Sequence, residues 1–293
     1  MKNAFFAFRN TLIGFLYRHI LKPIFFAFDP ENVHDFMVKS GKVLGGNPLT
    51  RFFTGAFFSY QNKTLHQKIH GITFENPIGL AAGFDKNAEL TQILPDVGFG
   101  FMEVGSITGE PCTGNAKPRL WRLKESKSIL INYGLKNDGA VKIAAALLHQ
   151  KFRIPVFTSI AKTNCAATVD TAAGIADYVK AFTSFTKIGQ AFTINISCPN
   201  AFGGQPFTDP QSLEKLLSAL DEIETTKPIF LKFSPDLSAH QVDQLLEVAT
   251  KHRIHGFICS NLTKNRNNAK ILDQAVPLTG GISGKALEDL SNN

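Results

Sequence analysis

From about residue 64 the hydrophobic pattern alternates between short apolar runs and longer amphipathic stretches. Apolar runs at 77–81, 101–105, 156–160, 192–197, 229–233 and 256–260 have the length and β-branched or aromatic content of strands. Between them, 140–150, 171–185, 212–223 and 239–252 carry helical periodicity. Strands alternating with helices predict parallel β/α units. Each run leads into a polar or glycine-rich segment: AAGFDK, GSITGE, SIAKTN, NISCPN, KFSPD and SNLTKN. In a (β/α)8 barrel the chemistry sits at those strand C-termini. A doubly wound sheet also alternates, but it usually opens on a glycine-rich strand-to-helix turn such as G-x-G-x-x-G. The first turn here, Gly79 to Gly83, lacks that spacing. The expected fold is therefore α/β: a (β/α)8 TIM barrel with about six of its eight strands. The sequence stops at Leu290–Asn293, which reads as the helix after the sixth strand, so the last two β/α units are expected to be missing.

The first sixty residues differ in kind. AFFAFRNTLIGFLYRHILKPIFFAF is rich in Phe and interrupted by Arg9, Arg18, His19 and Lys22. No uninterrupted apolar run reaches the ~20 residues that span a bilayer, and no secretory cleavage pattern follows. Aromatic and aliphatic residues mixed with cations suit a helix lying in a membrane interface. A helix packed on its own domain is the alternative. Pro23 predicts a kink or division. Asp29-Pro30-Glu31 predicts a helix start, Gly45-Gly46-Asn47-Pro48 a break, and 49–58 a further short helix. The domain reading is 1–60 as a helical region and 61–293 as the barrel.

Hydrophobic residues make up 44% and charged residues 19%, a globular rather than disordered balance. The net charge of +7 suggests an anionic partner, unless it is only a basic surface. Lys/Arg runs with interleaved aromatics are missing, so no nucleic acid is expected. Cys112, Cys165, Cys198 and Cys259 form no C-x-x-C pair, so neither a zinc site nor a disulfide framework is expected. A reducing compartment follows.

Several residues can carry chemistry at the strand ends. Lys86 can hold a carboxylate or an anionic ring, or be a solvated surface lysine. Lys232 sits within an apolar strand, where an ammonium needs a ligand or an internal partner. In Asn195-Ile196-Ser197-Cys198-Pro199-Asn200 two amides flank a thiol. Amides suit a planar ligand with alternating C=O and N–H groups, and the thiol is either a base or nucleophile or a small buried side chain. Asn132, Ser260 and Asn261 add polar groups. The 279–284 segment TGGISG can admit a flavin or phosphate close to its backbone, or be a plain loop.

Together FAFDPENVHDF, NPIGLAAGFDKN, GFGFMEVGSIT, GNAKPRLWRL, NISCPN, KFSPDLS and LTGGISGKAL resemble the dihydroorotate dehydrogenase family, from about residue 17 to the C-terminus. The extension is similar to that of the quinone-dependent, membrane-bound class, in which two helices form a tunnel for the quinone. The resemblance implies FMN held by Ala82, Gly83, Lys86, Ser106, Ser159, Asn195, Lys232, Ser260 and Gly284. It implies a substrate held by Lys86, Asn132, Asn195, Asn200 and Asn261. Cys198 stands at the position of the catalytic base, usually Ser in the quinone-dependent class and Cys in the soluble one. The N-x-x-G substrate loop is one residue short, as Asn132-Tyr133-Gly134. The implied activity is oxidation of dihydroorotate to orotate in pyrimidine synthesis. Cys198 takes the C5 proton, FMN receives the hydride, and a membrane quinone is the final acceptor. The implied location is peripheral, on the cytoplasmic face of the inner membrane. Alternatives are the soluble-class enzyme using fumarate or NAD, and a non-catalytic membrane-binding fragment.

Overall fold

The computed structural model of the protein describes residues 2–292, with side chains from Ala4 onward; Met1 and Asn293, which fall in the expected end segments, lie outside the described residues. The chain forms two compact units, one of residues up to 79 with 89–101, the other of 80–88 with 102 onward.

The first unit is mainly helical. Helix α1 (Lys2–Leu16) passes through a π-turn at Tyr17–Leu21 into α2 (Lys22–Ala27). The π-turn is the local answer to Pro23. A proline ring clashes with the carbonyl four residues earlier and supplies no N–H, and one wider turn, closed by the Lys22 N–H to the Tyr17 carbonyl, carries the helix past it. Asp29 then caps α3 (Pro30–Gly45), its carboxylate accepting from the Asn32 N–H at 3.0 Å. Asn47 caps α4 (Pro48–Phe58) through the Leu49 N–H at 2.8 Å. The first start is where the sequence puts it; the second falls one residue earlier, inside the 45–48 segment that reads as a break. Arg9, one of the cations that interrupt the apolar stretch, packs within its own unit. It is buried and donates to the carbonyls of Ala56 and Ser59, both at 3.0 Å, so it ties α1 to the end of α4. Phe5, Phe8, Leu12 and Phe15 on α1 and Phe52, Phe53 and Phe57 on α4 remain exposed. Among the described residues no single helix is long and apolar enough to cross a membrane; the bent pair 4–27 and 30–45 passes on length and composition together. An antiparallel hairpin, β1 (Gln67–Ile69) and β2 (Ile72–Phe74), follows, and then β3 (Gly79–Leu80). Helix α5 (Leu94–Val97) completes the unit.

The second unit is the barrel. Its parallel strands are β4 (Phe101–Ile107), β7 (Val156–Ile160), β8 (Ala191–Asn195), β9 (Ile229–Lys232) and β10 (Gly256–Ile258). With β3 they form a six-stranded sheet in the order β10-β9-β8-β7-β4-β3. These are the six strands expected, in sequential neighbour order, as in an incomplete (β/α)8 barrel. All residues of β7 and β8 are buried, as strands covered on both faces must be. The crossover helices are α6 (Ala140–Leu147), α7 (Thr171–Ser184), α8 (Pro210–Asp221) and α9 (Ala239–Ala249). Asp170, Asp209 and Ser238 cap the last three. Leu213, Leu216, Leu217 and Leu220 form one buried stripe along α8, each contributing roughly 1.5–3 kcal/mol. Phe182 of α7 stacks on Phe192 of β8 with ring centroids 4.0 Å apart.

A second sheet was not foreseen. Strands β5 (Leu120–Leu123) and β6 (Ser128–Ile131) form an antiparallel hairpin, and β11 (Gly281–Gly284) pairs with the far side of β6. Leu123, Leu130, Ile282 and Ala286 form its core, with Trp121, Ile271 and Val276 packed against them. The expected helix after the sixth strand is therefore preceded by β11; it is the short α10 (Glu288–Asn292).

Candidate functional site

At the C-terminal ends of the parallel strands a hydrogen-bonded run of side chains crosses the sheet. Ser106 of β4 and Ser159 of β7 share a bond of 2.7 Å between their hydroxyls. Asn195 at the end of β8 donates to the Ser106 hydroxyl at 2.8 Å. Asn261, after β10, donates to the Asn195 carbonyl oxygen and to the Ser197 hydroxyl, both at 3.0 Å. Ser106, Ser159 and Asn195 are buried. Gly105 makes the run possible. Its φ is +100°, and a Cβ there would come within 2.5 Å of the Ile107 nitrogen and 2.6 Å of the Ser159 carbonyl, so no other residue fits.

A second cluster forms around the loop after β6. Asn115 donates to the Asn132 side chain at 3.0 Å and to the Asn200 carbonyl at 3.2 Å. Asn200 donates to the Ile131 carbonyl at 2.8 Å, while its own side-chain oxygen is buried with no partner. The shortened Asn132-Tyr133-Gly134 loop turns through positive φ at both Gly134 and Leu135. The Lys86 ammonium lies 4.0 Å from the Tyr133 ring centroid. Asn132 and Asn200 thus come together, linked by Asn115, a residue quoted only as part of a motif.

Lys232 is buried at the end of β9, opposite Asn195 in register. Its ammonium is 3.9 Å from Oε2 of buried Glu103, which also accepts the Ala82 N–H at 3.1 Å. The other oxygen, Oε1, has no partner. Gly83 has a φ of +104°, and a Cβ added to it would meet nothing within 4 Å. A buried cation, an orphaned carboxylate oxygen, an orphaned amide oxygen and open space beside a backbone turn fit a flat group with a polar edge, as a flavin has.

Cys198 is partly covered at the turn after β8. Burial pushes its thiol above the ordinary range, with Cys112 adding to the rise; the Asn200 backbone, Lys162 and Lys264 pull the other way. Lys162, from SIAKTN, is buried and was not singled out from the sequence, although it follows an apolar strand as Lys86 does. Ser260 touches the end of the first cluster, its hydroxyl donating to the Asn261 carbonyl at 3.4 Å, whereas Gly284 stands apart from both. Ser260 bonds Ser291 at 3.3 Å, and Gly284 pairs with Ser128 in the second sheet. That sheet still reaches the site, since a Cβ on Gly281 would lie 3.0 Å from the Pro199 ring.

Fold and side chains together define an incomplete (β/α) barrel with a polar, partly cationic candidate site at its strand C-termini. The comparisons give the family: the dihydroorotate dehydrogenase profile matches residues 64–293, and the chain belongs to that family. A dihydroorotate dehydrogenase (quinone) of Rhizobium meliloti (strain 1021) is 36% identical over 96% of this chain and 75% of its own length. Enzymes of the same name from Synechococcus sp. (strain JA-3-3Ab) and Haloarcula marismortui are each 34% identical, over 94% and 92% of this chain and 76% and 75% of theirs. Among solved structures, ligand-free DHODH from Eimeria tenella superposes with a TM-score of 0.74 at 27% identity, covering 90% of this chain and 77% of that one. Its complex with ferulenol gives 0.73 at 25% identity.

Proposed function

We propose that the protein oxidises dihydroorotate to orotate for pyrimidine synthesis, using FMN and passing electrons to a membrane quinone. The observation that carries this reading is the continuous run Ser159–Ser106–Asn195–Asn261 across the strand ends, which reaches the turn bearing Cys198. Amides that both donate and accept are what a dihydropyrimidine with alternating C=O and N–H groups needs. Asn132, Asn195, Asn200 and Asn261 would orient the ring, and Lys86 would hold the substrate carboxylate. Cys198, as thiolate, takes the C5 proton. The residues that would hold FMN are Ala82, Gly83, Lys86, Ser106, Ser159, Asn195, Lys232, Ser260 and Gly284. When bound, a flavin supplies a two-electron acceptor for the hydride leaving C6. Lys232 places positive charge beside Glu103 and the Ala82 turn, where it would favour negative charge on a bound flavin.

The exposed Phe5, Phe8, Leu12 and Phe15 support peripheral attachment of the helical region, 1–60, to the cytoplasmic face of the inner membrane, which is where a quinone is met. Supplying dihydroorotate with a soluble ubiquinone analogue, fumarate or NAD in parallel tests the acceptor. Turnover with the quinone alone is expected. Turnover with fumarate or NAD and none with the quinone would overturn that part of the proposal.

A further inference from the structure

We propose that Lys162 is a positioning residue for proton removal by Cys198: from the end of β7 its buried ammonium holds the 198–204 turn by the Phe202 carbonyl and presents positive charge toward the thiol. The inference rests on the reading of Cys198 as base. Lys162 is 3% exposed, an expensive place for an ammonium without compensation. Its Nζ donates to the Phe202 carbonyl at 2.7 Å and lies 3.5 Å from the Thr168 hydroxyl. Two residues on, Asn164 accepts the Phe202 N–H, and its amide donates to Asn115 at 3.0 Å and to the Gly134 carbonyl at 3.1 Å. Both backbone groups of Phe202 are therefore gripped by SIAKTN residues, while the Phe202 side chain is 56% exposed. This backbone tether, together with the Asn200 bonds to Ile131 and Asn115, fixes where the turn carrying Cys198 and Asn200 sits.

The charges around the pair favour the same role. Burial lowers the Lys162 ammonium's pKa, and Cys165, Cys198 and Asp177 raise it. Asp177 is already committed to the Gly109 and Thr163 N–H groups and the Thr163 hydroxyl. Tyr178 stays a neutral phenol, donating to the Asn195 carbonyl at 2.8 Å. Toward Cys198 the other titratable groups are Lys264, which acts with Lys162, and Cys112, which acts against it. A cation held by the turn that carries a covered thiol favours the thiolate, the form that accepts a proton.

The test alkylates the full-length protein with iodoacetamide across a pH series and quantifies the Cys198 peptide by mass spectrometry. Lys162→Gln keeps a donor for the Phe202 carbonyl and loses the charge. Its alkylation rate below the midpoint should fall about tenfold, the curve moving up by about one pH unit. Lys162→Arg should restore the wild-type curve. Lys162→Met should show the same rise and also speed hydrogen exchange at the Phe202 amide. If the Met variant does not fold, the Gln and Arg curves decide. A Gln curve that superimposes on the wild type overturns the proposal. Full turnover by Cys198→Ala would instead overturn the base assignment, and the alkylation curves would still report on Lys162.

Discussion

The buried pair Glu103–Lys232 gives the sharpest energetic prediction. Both side chains are under a tenth exposed, and the ammonium and Oε2 are 3.9 Å apart. At an effective dielectric near 20, two unit charges at that distance attract by about 4 kcal/mol. Removing one partner leaves the other charge buried, which costs roughly 3–5 kcal/mol. Glu103→Gln keeps an acceptor for the Ala82 N–H and removes only the charge, so about 3 kcal/mol is expected. Lys232→Met should lose a similar amount, because Glu103 already has one oxygen without a partner. The double variant carries no buried charge at this spot and should be at least about 2 kcal/mol more stable than the two single losses added together. Urea unfolding followed by the fluorescence of Trp121, the single tryptophan, measures all four corners of the cycle. Single effects that add to within about 0.5 kcal/mol would refute the coupling.

Three further outcomes follow from the same geometry. Cys198→Ala should slow flavin reduction by dihydroorotate roughly 10²–10⁴-fold in stopped-flow while leaving FMN affinity within a few-fold, since the thiol moves a proton and does not hold the cofactor. The thiol must be deprotonated before it can take the C5 proton, and its pKa is raised. The wild-type rate should therefore climb with pH through the ordinary thiol range and level off only above it, with Cys198→Ser shifted higher still; a flat profile would contradict this. Leu216→Ala, in the fully buried stripe of α8, should cost about 2–5 kcal/mol in urea unfolding without changing the pH profile.

The parallel strands were legible because period and position agreed. The run 156–160 coincides with β7, and each of the other runs overlaps its strand to within a few residues. The helix start marked by Asp29-Pro30 was legible too, while Asn47-Pro48, which reads as part of a break, is the cap and first residue of α4. The second sheet was not. Its strands are four residues each, and β11 pairs with β6 across some 150 residues of chain, which no local pattern reveals. At the site, Asn195 and Asn261 could be picked out as amides at strand ends, but their shared bond depends on the register of β8, β9 and β10. Arg9 was legible only as a cation interrupting an apolar helix, since its partners, the carbonyls of Ala56 and Ser59, lie some fifty residues on.

The central claim is tested most directly by one anaerobic single turnover. The protein, loaded with FMN, is mixed with one equivalent of (S)-dihydroorotate, and the flavin band and orotate are followed together. The account predicts that the band bleaches and orotate forms in equal molar amount, and that neither happens at a comparable rate with Cys198→Ala. A flavin that stays oxidised in the wild type, or bleaching with no orotate formed, would contradict it.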